Sequence, residues 1–246
     1  MPAWRADRLV KPLRALALAL VASQACAQEP ATPADVTAWL GTASPDAVHA
    51  AAEGDLTGHG TKDWAGVVHR TLSAAELQAQ AEADPDARED TMGGWQVVVF
   101  LQQPDGHHRL AVQSPPFSWN CGTSRCWMDD MHIARQSLFV QRKWTWHGCY
   151  DEVNFQFKAR DGGWPLIGIR SESSSTPYPD DDGTKPSKMQ NIDWNRLTGD
   201  VIVSSSQDWK HKHVKRLKIS KPTLDLADFE DYSVPVEDSL PSICTG

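Results

Sequence analysis

The 246-residue chain carries 24 basic and 32 acidic residues, a net charge of −8 that counts against nucleic acid as a partner, because phosphate binding draws on clustered cations. Its length is enough to bury a core and to form one domain. The acidic balance suits a cationic partner, or serves solubility alone.

Residues 1–27 have the layout of a secretory signal. Arg5, Arg8, Lys11 and Arg14 form a basic lead, residues 15–22 an apolar stretch, and Ala25-Cys26-Ala27 a cleavage site before Gln28. The stretch is too short to span a bilayer and no second one follows, so the expectation is a periplasmic protein without a membrane span. A lipid anchor on Cys26 is the alternative, without the leucine three residues upstream that such anchors use. The remainder has 20 basic against 31 acidic residues, a net charge of −11.

Residues 28–53 are expected to be an N-terminal lead with short helices at 35–40 and 45–53, the second with Ser44 as N-cap and Pro45 in the first turn. A β-domain over 54–246 follows. It opens on Gly54-Asp55-Leu56-Thr57-Gly58-His59-Gly60-Thr61-Lys62-Asp63. Asp55, Thr57, His59 and Asp63 fall at positions 1, 3, 5 and 9 of a calcium loop, Gly60 at the sharp turn, and Thr61 where a backbone carbonyl is a ligand. Thr57 and His59 replace harder oxygen ligands, and Gly66 stands where an EF-hand has glutamate.

A strand is predicted at 64–70, then a helix at 73–83 with the Ser73/Glu76 capping-box spacing. From Gly94 the period becomes that of strands. Hairpins are predicted from 96–102 to 108–113, from 153–159 to 164–170, and from 191–195 to 200–205, with a last strand at 212–219. Residues 133–141 and 143–147 are further strand candidates. Residues 171–190, including Asp180-Asp181-Asp182, lack an apolar period and are expected to form a long exposed loop. The count predicts a mainly β, antiparallel meander or propeller-like single domain with a few short helices.

Cys121, Cys126, Cys149 and Cys244 form an even set in an exported chain and predict two disulfides, with three connectivities open. One of them joins Cys121 to Cys126 across a short loop and Cys149 to Cys244. The 211–221 region is rich in lysine, as suits an exposed sheet edge, although His211 and His213 share a strand face. No hydrolase elbow, zinc-protease helix or phosphate loop is present, so a non-enzymatic protein is expected. Of the eleven tryptophans, Trp119, Trp127, Trp144, Trp146 and Trp164 cluster in the middle of the chain, most densely at Trp144-Thr145-Trp146-His147-Gly148-Cys149-Tyr150. Trp144, Trp146, His147 and Tyr150 are therefore the candidate partner-binding residues, since rigid aromatics supply binding hot spots.

The loop at 54–63 resembles that of the FG-GAP and integrin-propeller families. With the PDG turn at 104–106, DGGWPLIGI at 161–169 and IDWNRLTGDVIV at 192–203, the chain resembles exported bacterial single-calcium-loop β-proteins. That family includes periplasmic immunity proteins against secreted peptidoglycan hydrolases, with a fold similar to inhibitors of invertebrate-type lysozyme. The resemblance implies calcium as cofactor and a non-enzymatic inhibitor whose partner is a peptidoglycan hydrolase or secreted effector. It transfers no inhibitory residue, because the Ser-Gly-x-x-Tyr loop of several lysozyme inhibitors is absent. The alternative is a calcium-stabilised envelope β-module with another partner.

Overall fold

The computed structural model describes residues 30–41, 47–83, 94–117, 125–146, 148–175, 188–207, 211–220 and 224–229. The signal-like stretch 1–27, Cys121, His147, Asp180–Asp182 and Cys244 lie outside them. Two helices and eleven strands are described: α1 (Ala34–Leu40), β1 (Val48–Gly54), β2 (Asp63–His69), α2 (Ala74–Ala83), β3 (Trp95–Gln102), β4 (His108–Gln113), β5 (Arg125–Ala134), β6 (Ser137–Trp146), β7 (Cys149–Phe157), β8 (Leu166–Ser175), β9 (Lys188–Asn195), β10 (Asp200–Gln207) and β11 (His211–Lys218). They form two antiparallel meanders, a four-stranded sheet β1-β2-β3-β4 and a seven-stranded sheet β5 to β11, each strand bonded to its neighbours in sequence. The mainly β, antiparallel meander expected from the sequence is therefore the architecture observed.

The four-stranded sheet is covered on both faces, which is why β2 is buried along almost its whole length. Ala65, Val67, Val97 and Val99 point into a core shared with the larger sheet. Trp64, Val68, Val98 and Phe100 point the other way, onto Val36, Trp39 and Leu40 of α1. Trp39 meets Phe100 edge-on at 5.6 Å, and Asp35 ties the helix down by accepting the His108 N–H at 2.7 Å. The Trp64 indole lies over Gly66, where a Cβ would run into its Cη2.

The sheets meet where β1 runs against β5; a Cβ on Gly54 would lie 2.8 Å from Ile133 Cγ2. On the core side of the large sheet, ladder partners share a face, and a whole row can be followed across it. The row Met131, Val140, Phe155, Ile169, Trp194, Val201 and Leu217 is apolar throughout. Phe229 closes this core against Phe155 and Phe157, with both ring centroids 5.1 Å away. Its segment is pinned by Trp164 N–H to Asp225 at 2.6 Å and Leu226 N–H to the Trp164 carbonyl at 2.9 Å. Trp164, one of the clustered tryptophans, is thus a core residue.

Three sequence expectations are corrected. Residues 48–53, expected as helix within 45–53, belong to β1: the alanines favour helix locally, but pairing with β2 buries Ala50 and Ala52, and packing overrides propensity. This strand belongs to the four-stranded sheet and not to a lead outside it. The single strand expected over 133–141 is broken by a hairpin turn at Arg135 and Gln136, whose φ values are +52° and +58°. Such a turn normally carries Asn or Gly, and without them it left no signal. The loop expected over 171–190 is strand at both ends, since β8 runs on to Ser175 and β9 begins at Lys188.

α2 carries the capping box read from its sequence. Glu76 accepts from the Ser73 N–H and hydroxyl, both at 2.8 Å, while Ser73 Oγ accepts from the Glu76 N–H at 3.3 Å. Arg70 grips the same carboxylate and also donates to the buried Gln96 at 2.7 Å, coupling helix to sheet. Arg70, and then Ser73, hold the Glu76 pKa down from 4.5 to about 2.

Two outcomes follow. Gly66→Ala should destabilise the fold by about 1–3 kcal/mol through displacement of Trp64, as a lowered urea midpoint at unchanged slope. The Glu76 contribution is complete above pH 4.5 and lost as pH falls toward about 2, because the folded-state pKa is the depressed one. The stability gap between wild type and Glu76→Gln should therefore be constant near neutrality and close across that acid window.

Candidate functional site

The loop between β1 and β2 brings Asp55, Thr57, His59, Thr61 and Asp63 into one turn, as their spacing predicted. Asp55 accepts from the Gly58, His59 and Gly60 N–H groups at 2.6, 3.1 and 3.0 Å, and these donors, Gly60 first, hold its pKa below the usual range. Gly58 and Gly60 have φ of +81° and +73°, which lets the backbone curl around the carboxylate. Asp63 is fully buried. It accepts from Leu56 N–H at 2.8 Å, Gln102 N–H at 3.0 Å and the Thr61 hydroxyl at 3.1 Å, so it ties loop, β2 and β3 together.

Both oxygens of each carboxylate already accept hydrogen bonds. Thr57 Oγ1 faces Thr61 Oγ1 at 3.4 Å, and His59 is exposed. Among the described residues no three His, Cys, Asp or Glu side chains are grouped to hold a metal. Asp55 and Asp63 are the two carboxylates of this donor set, where calcium takes six or more oxygens. The loop also holds the seam between the sheets: it leaves β1 beside Ile133, and Gly58 lies against the Gln136 side chain of the β5–β6 turn.

The aromatic hairpin is the tip of β6 and β7, turning at Gly148 with φ of +78°. Trp144 and Trp146 occupy alternate positions of β6, and Trp144 stands on the core side of the sheet. Tyr150 does not join Trp144, because it pairs with Thr145 and so points to the opposite side of the sheet. The difference is one of register: Trp144 is opposite Asp151, and Trp146 opposite Cys149. Cys149 is disulfide-bonded; the side chains of Cys126 and Trp146 lie outside the described residues.

On the core-side face the surroundings of Trp144 are polar. One row toward the tip from the apolar row stand Met128, Arg142, Val153, Ser171, Ile192, Val203 and Lys215. The next row toward the tip contains Trp144, Asp151, Ser173, Gln190, Ser205 and His213. Asp151 accepts from Ser173 Oγ at 2.7 Å and Ser171 Oγ at 3.3 Å, with Arg142 Nη2 at 3.9 Å. Ser171 and Gln190 are buried and Trp144 half-buried. The core thus ends in a rim of charge, hydroxyl and amide around one indole.

Tyr150 heads a second network on the outer face. Its hydroxyl donates to Glu152 at 2.7 Å, and Gln141 and Asn154 donate to the other carboxylate oxygen at 2.8 and 3.2 Å. None of Arg142, Asp151, Ser171, Ser173 or Gln190 was singled out from the sequence. The one available signal was negative: the apolar alternation of these strands stops before the strands do. No family model matches the chain, and no curated protein or solved structure matches it either.

Asp63→Ala would orphan two backbone donors, at about 1–3 kcal/mol for each one kept from water. Its melting temperature should fall by several degrees, whereas exchanging calcium for chelator should leave the wild-type value unchanged. A calcium-induced rise in melting temperature would show that the loop reorganises to take the ion.

Proposed function

We propose that the protein is an exported, non-enzymatic binding protein that inhibits a peptidoglycan hydrolase, as an immunity protein against a secreted effector. The observation that carries the proposal is the rim at the β6–β7 tip, where a half-buried Trp144 stands beside Arg142, Asp151 and Ser173 on a strand-borne scaffold. An indole with one polar edge is a binding anchor, and ordered polar neighbours give it direction. Hydrogen-bonded strands hold these groups in place before the partner arrives, so little ordering entropy is lost on binding.

Inhibition would be steric: the hairpin tip occupies the substrate cleft and excludes the glycan. The net charge of −8 favours encounter with a cationic hydrolase. Calcium has no step in this mechanism, because the 55–63 loop supplies its own hydrogen bonds. The resemblance to periplasmic immunity proteins supports the same reading.

The test is cell-wall turbidity loss caused by a panel of lysozymes and by any hydrolase encoded beside this chain, with and without the purified protein. Stoichiometric protection is expected. Trp144→Ala should weaken it about tenfold, near 1.4 kcal/mol, while Tyr150→Ala, on the opposite face, should leave it nearly unchanged. Absence of protection at micromolar protein against the whole panel would end the proposal.

A further inference from the structure

β11 is the outermost strand of the seven-stranded sheet, and its far edge meets no strand among the described residues. Its eight residues include Lys212, Lys215, Arg216 and Lys218 and no acid, on a chain whose net charge is −8. Lys218 pairs with Asp200 at 2.9 Å; no carboxylate of the described residues pairs with the other three cations. Residues 212–216 are all exposed, so neither face of the strand is covered there. Val214, 55% exposed, sits in the middle of the charges.

The backbone adds a second, independent feature. Ile219 donates its N–H to the Gly199 carbonyl at 2.8 Å. By the alternation of an antiparallel ladder, Leu217, Lys215 and His213 also turn their N–H and C=O groups toward β10. Lys218, Arg216, Val214 and Lys212 then turn theirs outward. The residues with free backbone groups therefore present two lysines, one arginine and one valine on one sheet face, and Lys215 stands on the other.

Lysine on an edge ordinarily keeps other strands away, because pairing would desolvate or repel its charge. That rejection depends on the visitor. A strand with carboxylates opposite Lys212, Lys215 and Arg216 replaces the penalty with cross-strand ion pairs, gains the ladder bonds, and covers Val214. We infer that β11 is a docking edge for an extended acidic segment of a partner protein, which adds to the sheet as an eighth strand. A flexible polyanion would use the cations alone; outward-facing backbone groups and an exposed valine between the charges favour a strand. This edge is separated from the β6–β7 tip by β8, β9 and β10, so the inference stands apart from the proposed inhibition.

The experiment measures fluorescence anisotropy of a labelled glutamate-and-valine peptide on addition of the full-chain protein. Saturable binding at low salt is expected, with none for the matching glutamine-and-valine peptide. Lys215→Glu/Arg216→Glu should weaken it about tenfold or more, and so should Val214→Pro, which removes an outward N–H and no bond to β10. Melting curves establish that these edge variants are folded, and N-methylation of alternate peptide positions should abolish binding. Failure of the acidic peptide to bind overturns the inference. So does binding that survives Val214→Pro and peptide N-methylation, or equal competition by dextran sulfate, each of which marks a plain polyanion contact. Self-association of the protein that disappears in Lys215→Glu/Arg216→Glu would assign the edge to a second copy and overturn it as well.

Discussion

The ladder through β5 to β9 is the constraint on which the rest of the large sheet depends. Side chains alternate with a period of two, so a slip of one residue would carry every inward group to the other face. In the register observed, Val140, Phe155, Ile169 and Trp194 line up as one apolar row. The same register places Trp144, Asp151, Ser173 and Gln190 in one polar row two steps away. Core and rim are therefore consequences of a single pairing. Phe155 and Phe157, held by Phe229, resist a slip because it would expose both rings.

The seam between the sheets is secured by small residues and by a carboxylate. Gly54 lets β1 approach Ile133, and Gly66 gives Trp64 room to lie flat along the α1 side of β2. Asp63 satisfies backbone donors from both the loop and β3 in a site with no water access. A buried carboxylate is costly without partners and valuable with them. Here its donors come from both the loop and β3, which makes the turn part of the sheet assembly. A metal-loop pattern can thus persist as a hydrogen-bonded corner, because the side chains that surround a cation can equally accept from N–H groups.

Charge is segregated along the large sheet. The basic residues of β11 stand at one edge of an acidic molecule, while the tip of β6 and β7 carries Arg142 and Asp151 together. The two regions would engage partners by different means, one through side chains gathered around an indole and the other through an open backbone edge. Arg196 shows a third use of a cation, with its guanidinium 4.5 Å above the buried Trp194 ring.

Much of the fold was legible from local pattern. The apolar run of β3, the alternation in β4 and β7, the turns around Gly106 and Gly199, the capping box of α2 and the basic edge of β11 each follow from a few neighbouring residues. Where the sequence misled, distant partners decided. Alanines at 50–52 became strand because β2 was there to pair, and serines at 171–175 became strand because β7 and β9 flank them. The turn at Arg135 and Gln136 has no glycine or asparagine to announce it.

The candidate site divides the same way. Sequence spacing alone set Asp55 to Asp63 into one turn and put Trp144 and Trp146 at alternate positions of one strand, because both follow from short-range geometry. Tertiary structure alone decided that the two carboxylates accept from N–H donors, that Tyr150 faces away from Trp144, and that Asp151 meets Arg142, Ser171 and Ser173. Those outcomes depend on which strands pair and in what register, a choice made by burial across the whole sheet that no local stretch contains.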